Sequence, residues 1–154
     1  LTKTRKEAER ALAFARSFLA DMGLQLHPEK TRIVKYPQRF DFLGFTVNHR
    51  GCKMSKKAIE KFKGKIKDAT IRSHNLDGET ITRLNRIVRG TANYFIKDFT
   101  IGAAIFFGLA KRVRRRVRCM KYTRISRKDN SRLRNKHLDR RGLLDIYQLY
   151  RAQH

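Results

Sequence analysis

LQLHPEKTRIVKYPQRFDFLGF, residues 24–45, sets a Lys-Thr pair, a short polar turn and a dense aromatic run side by side within 22 positions. Residues 31–36 and 40–48 are rich in β-branched and aromatic side chains, and Pro37, Gln38 and Arg39 part them. That pattern predicts two strands joined by a short turn. In the second strand Phe40 and Phe42 fall on one face and Leu43, Phe45 and Val47 on the other, so it asks for cover on both sides. A two-stranded sheet is marginal in water, and further strands upstream are the expected remedy.

Outward from this hairpin the period changes from two to 3.6. On the N-terminal side Ala8, Ala11, Leu12, Ala15, Phe18, Leu19 and Met22 form one stripe of a helix that Gly23 ends. On the C-terminal side Ser55 is placed to cap a helix carrying Ile59, Phe62, Ile66 and Ala69. A break at 75–78 follows, and Ile81, Leu84, Val88 and Phe95 mark a second helix. Phe106, Leu109, Ala110, Val113, Val117 and Met120 mark a third, whose remaining circumference carries Lys111, Arg112, Arg114, Arg115, Arg116 and Arg118. The expected class is α+β: a helix with a β-hairpin over residues 1–52, a three-helix domain over 53–122, and a basic tail over 123–154. The tail is poor in apolar residues up to Arg141 and is expected to be loose or ordered only on a partner. GLLDIYQLY, residues 142–150, predicts one short helix near the end.

Across 154 residues 38 Lys and Arg face 13 Asp and Glu, a formal charge of +25. Such a surplus repels itself unless a polyanion neutralises it, which makes nucleic acid the leading partner class. No stretch approaches the roughly 18 uncharged apolar residues of a spanning helix, and no signal-peptide pattern is present. A soluble, intracellular protein is expected, with no membrane partner. Cys52 and Cys119 lack metal-site spacing and read as reduced thiols. Two-metal phosphoryl transfer needs clustered carboxylates, and here the acids are scattered; Asp41, between Phe40 and Phe42, has no acidic neighbour in sequence. The five histidines stand in no spaced motif. A helix one-third apolar and otherwise cationic, with no interleaved Glu, is best explained by phosphates lying along it. The expected RNA-binding residues are Arg83, Arg86 and Arg89 on the second of the three helices, Lys111, Arg112, Arg114, Arg115, Arg118 and Lys121 on the third, and Lys30 ahead of the hairpin. Reversing charge at Arg114, Arg115 and Arg118 should then weaken RNA binding without unfolding the domain.

Glu29-Lys30-Thr31 and Phe42-Leu43-Gly44-Phe45, within residues 23–47, resemble the last palm motifs of group II intron-encoded reverse transcriptases. LNRIVRGTANYF, residues 84–95, resembles the maturase-specific thumb, domain X, of the same family. The resemblance covers about residues 5 to 125. It implies a palm edge over 1–52 and a thumb over 53–122, in a protein that binds its own intron RNA, helps it splice and, in complete form, copies it into DNA. By position Lys30 matches a lysine near the leaving pyrophosphate of related polymerases; phosphate binding or a turn cap explains it equally. The family's catalytic aspartates would lie before Leu1, so no catalytic residue is expected in this stretch, nor any cofactor; Mg would serve the complete polymerase and the intron RNA. The expected partners are group II intron RNA or an RNA/DNA template-primer duplex and an N-terminal reverse-transcriptase half, in a bacterial cytoplasmic or organellar ribonucleoprotein. Two alternatives stay open beside an RNA-binding maturase segment: part of an active RNA-directed DNA polymerase, and a structural protein of a large RNA particle.

Overall fold

A computed structural model describes residues 2–34, 39–48, 51–71 and 76–154. Contacts divide the chain into two compact units, Leu1–Gln38 and Arg39–His154. In the first, helix α1 (Arg5–Asp21) starts at a capping box. Glu7 N donates to Thr4 Oγ1 at 3.2 Å, and Thr4 N donates back to Glu7 Oε2 at 3.2 Å. Gly23 ends it in the left-handed region. The apolar stripe is present but none of its residues is buried, and Phe14 and Phe18 stack on each other with centroids 6.2 Å apart. The strand expected over 31–36 is corrected: residues 31–34 are irregular, while Lys35 and Tyr36 lie outside the described residues. A strand persists only where a partner satisfies its backbone, and no pairing to this segment exists among the described residues.

The second unit opens with a three-stranded antiparallel sheet in the order β1 (Phe40–Phe42), β2 (Phe45–Asn48), β3 (Gly51–Met54). The single strand expected over 40–48 is itself a hairpin. The chain turns at Leu43 and Gly44, with φ of 48° and 82°, the doubly positive geometry that matches the twist of paired strands. Phe42 pairs with Phe45 and Phe40 with Val47. A third strand follows downstream, with Val47 opposite Cys52. Its other edge takes residues 99–101: Cys52 N donates to Phe99 O at 3.3 Å and Ile101 N to Cys52 O at 2.8 Å. Asp41 accepts from Thr46 Oγ1, its cross-strand neighbour, at 2.6 Å.

Three helices follow as the apolar periods predict: α2 (Lys56–Asp68), α3 (Gly78–Phe95) and α4 (Ala103–Tyr122). Ser55 and Asp77 cap the first two, accepting from Ala58 N and Thr80 N. Phe62, Ile66, Leu84, Val88, Phe106, Leu109, Val113 and Val117 form one core. Leu109 is 2% exposed, and Leu109→Ala is expected to destabilise the unit by about 2–5 kcal/mol in denaturant titration.

The loose tail expected after Tyr122 is also corrected. Residues beyond α4 form α5 (Asp129–Arg132), α6 (Asn135–Arg140) and α7 (Ile146–Gln153), and Leu133, Leu138, Leu143 and Ile146 enter the core. Helix α7 lies on α4, where Tyr150 stacks on Phe106 at 4.9 Å and Tyr147 meets Phe107 edge-on at 5.3 Å. Asn85 of α3 ties the approach to α7: its amide donates to Gly142 O at 2.7 Å and accepts from Leu144 N at 2.8 Å. The result is a mostly helical domain behind a small sheet.

Candidate nucleic-acid interface

Helix α4 spends its cations in two ways. Arg116 caps the end of α2, donating from Nε to the Thr70 hydroxyl at 3.0 Å and from Nη2 to Thr70 O at 2.7 Å and Lys67 O at 3.5 Å; Lys67 O is a carbonyl that a helix end leaves orphaned. Arg114 pairs with Asp145, the residue that caps α7, and both side chains are largely buried. Arg118 is only 8% exposed; its Nε donates to Leu133 O at 2.8 Å and its Nη2 to Asn135 Oδ1 at 2.7 Å. Burial, then the charge of Arg114, pushes its pKa below the usual guanidinium value, although an arginine stays protonated. Nearby, Arg124 and Arg132 lie 3.1 and 3.7 Å from the buried Asp129 Oδ1, and the hydrogen bond that Arg124 donates to it raises the pKa of Arg124.

The other cations face an open groove of ≈ 1300 Å³ along α4, walled by α2 on one side and residues 125–136 on the other. Its lining contains Lys63, Lys111, Arg112, Arg114, Arg115, Arg118, Arg127, Arg134 and Lys136, and no Asp or Glu. Glu60 offsets Lys63 and Asp145 offsets Arg114. Lys111, Arg112, Arg115, Arg127, Arg134 and Lys136 have no carboxylate within 4.0 Å among the described residues. Arg112 Nε is buried there without a partner. Like charges crowded on low-dielectric walls raise the local potential and concentrate anions.

The structure thus brings five of the expected residues to one groove: Lys111, Arg112, Arg114, Arg115 and Arg118. Lys121 is exposed on the last turn of α4, outside it. Arg86 and Arg89 lie along a separate shallow depression of ≈ 460 Å³ on α3, with Thr82, Asn85, Gly90 and Asn93, and Arg83 is exposed beyond it. Lys30 is exposed in the first unit, its N–H donating to His27 O at 3.2 Å. Arg127, Arg134 and Lys136 were missed as groove residues. Their charge was visible in the sequence, but nothing local in it shows that 125–136 folds back beside α4.

The hairpin and α3 meet through the motifs that stand 51 positions apart. Tyr94 OH donates to Leu43 O at 2.8 Å, and Ser55 N donates to Gly44 O at 2.9 Å. Phe45 packs against Tyr94, Phe95 and Phe99 at centroid distances of 5.7, 5.0 and 6.0 Å. A Cβ on Gly44 would stand 3.2 Å from Phe95 Cζ.

Among the described residues no group of three or more His, Cys, Asp or Glu could hold a metal ion. No described helix is long and apolar enough to cross a membrane. The family model described as "Group II intron, maturase-specific domain" matches residues 59–142, more than half of the chain. A search of curated proteins finds no match.

Proposed function

The chain belongs to the family defined by the group II intron maturase-specific domain, and from that premise we propose that it binds group II intron RNA and assists its splicing through the groove along α4. The observation that carries this reading is the set of six cations in that groove with no carboxylate at hand. In a folded RNA, phosphates are the one anion dense enough to neutralise such a set together. The same grip suits a template-primer duplex. Buried Arg118 and largely buried Arg114 tie the segments after α4 back to that helix, and Lys111, Arg112 and Arg115 present charge inside the groove.

The test is the affinity of the chain for a self-splicing group II intron RNA and for an unrelated structured RNA of equal length, across a salt series. Contacts from all six cations give a slope of roughly −4 to −5 in log K per log unit of salt. Preference for the intron RNA that survives near-physiological salt supports maturase recognition; equal binding that vanishes with salt leaves only a generic phosphate grip. Lys111→Glu with Arg115→Glu is expected to reduce affinity at least tenfold and flatten the slope by about one per residue, with no change in melting. Unaltered affinity in that variant would remove the groove from the interface.

A further inference from the structure

Resting on the groove reading above, we propose that the groove takes unpaired RNA, with one base stacked on Phe107 in place of the Lys111 ammonium. Phe107 lines the groove and is 42% exposed, although α4 has a core within reach. It packs T-shaped against Tyr147, with centroids 5.3 Å apart and ring planes at 65°, which restricts how the ring can turn. Over the ring stands Lys111 Nζ, 4.2 Å from the centroid.

The neighbourhood leaves room for a flat ligand. Ala104 and Gly108 also line the groove beside Phe107, and a Cβ on Gly108 would meet nothing within 4 Å. Glycine inside a helix is destabilising, and no packing contact in the fold requires it here. Across the opening Ile125 is 69% exposed. An apolar spot of Phe107 and Ile125 inside a groove without acids is a poor match for duplex alone, because the base faces of a duplex are stacked on one another and out of reach. Unpaired nucleotides offer a π face to the ring and a phosphate to each flanking cation.

Energetics set the order of events. A cation over an exposed ring is a weak contact, and a base stacked on an aromatic side chain is a stronger one. The base therefore displaces the ammonium, and Lys111 on its flexible stem turns to a phosphate. Lys111 is in this sense a placeholder that keeps the ring partly covered until RNA arrives.

The experiment uses the full chain with a single-stranded RNA of roughly twelve nucleotides, within known single-strand site sizes, carrying 2-aminopurine at one position in turn. A hairpin duplex of equal phosphate count is the comparison. The expected results are quenching of 2-aminopurine at one register and tighter binding of the single strand. Phe107→Leu keeps apolar bulk against Tyr147; it should lose the quench and about tenfold in single-strand affinity, with duplex binding and melting temperature unchanged, and Phe107→Tyr should restore both. Lys111→Ala should keep the quench while the single-strand salt slope falls by about 0.7. If Arg115→Glu weakens both RNAs while Phe107→Leu alters neither, stacking on Phe107 is overturned and the phosphate groove stands. If Arg115→Glu alters neither RNA, the groove assignment falls and this inference with it.

Discussion

Arg118→Glu is expected to lower the melting temperature by roughly 10 °C or more and to expose the segment from Thr123 onward to protease, whereas Arg115→Glu, three positions earlier on α4, should leave melting unchanged and weaken RNA binding. The contrast follows from what each guanidinium touches. Arg115 is exposed and has no carboxylate within 4.0 Å among the described residues. Arg118 is buried, and its two bonds reach Leu133 O and Asn135 Oδ1, fastening the chain after α4 back onto that helix. A glutamate at 118 would set a carboxylate against two oxygens, with Asp129 close enough to act on the same position. Losing a buried, hydrogen-bonded charge costs about 3–5 kcal/mol, a large part of the roughly 5–15 kcal/mol that holds a domain together, and each kcal/mol moves the midpoint of a chain this size by about 2–4 °C. Arg118→Met, which keeps the apolar stem, should fall between the two, because its loss is confined to two unsatisfied oxygens. A melt of Arg118→Glu that overlays the parent would mean that Leu133 O and Asn135 do not depend on this residue. The simultaneous reversal of Arg114, Arg115 and Arg118 that the sequence invites therefore mixes unfolding with loss of binding, and only Arg115 reports on RNA.

Why three arginines on one helix separate in this way was not legible locally. The apolar stripe of α4 follows from spacing alone, and Phe106, Leu109, Val113 and Val117 are buried as that spacing requires. The partners that claim Arg114 and Arg118 lie at Asp145, Leu133 and Asn135, in or beside the segment that reads as a basic tail. That segment conceals its core residues because Leu133, Leu138 and Leu143 recur every five positions, a spacing that belongs to neither helix nor strand. Only Leu138 lies inside a helix, α6, while Leu133 and Leu143 sit in the connections after α5 and α6, and the period resets at each turn. Residues 40–48 misled for a different reason. A strand and a tight hairpin share the same apolar composition, and the only local sign of the turn is Gly44, preceded by Leu43, which rarely adopts positive φ. The family motifs pointed to the correct domain, but their mutual contact, Tyr94 on Leu43 and Phe95 against Gly44, is a property of the fold alone.

Gly44→Val is expected to cost about 3–4 kcal/mol and to release the hairpin from α3. Two effects combine. At φ 82° a β-branched residue sits in a region it scarcely populates, a strain of roughly 1–3 kcal/mol. Its Cβ would also stand 3.2 Å from Phe95 Cζ and 3.3 Å from Cε1, and that ring cannot retreat freely because Phe45 and Tyr94 hold it at 5.0 and 4.7 Å; crowding of this kind adds roughly 1–3 kcal/mol. Gly142→Ala separates the two effects, since Gly142 has φ 78° and nothing within 4 Å of an added Cβ. It should register the strain alone, and the excess cost of Gly44→Ala over it is the Phe95 contact. Tyr94→Phe, which removes only the bond to Leu43 O, should cost about 1 kcal/mol. Denaturant titration of the four variants provides the comparison, with hydrogen exchange at Phe42, Phe45 and Ser55 reporting on the hairpin. Equal costs for Gly44→Ala and Gly142→Ala would show that the aromatic cluster yields to the added carbon and that the hairpin is held by its backbone bonds. A larger cost at Gly44 makes the turn and the end of α3 a single rigid joint, so that any load on the sheet is carried directly into the helical domain bearing the basic groove.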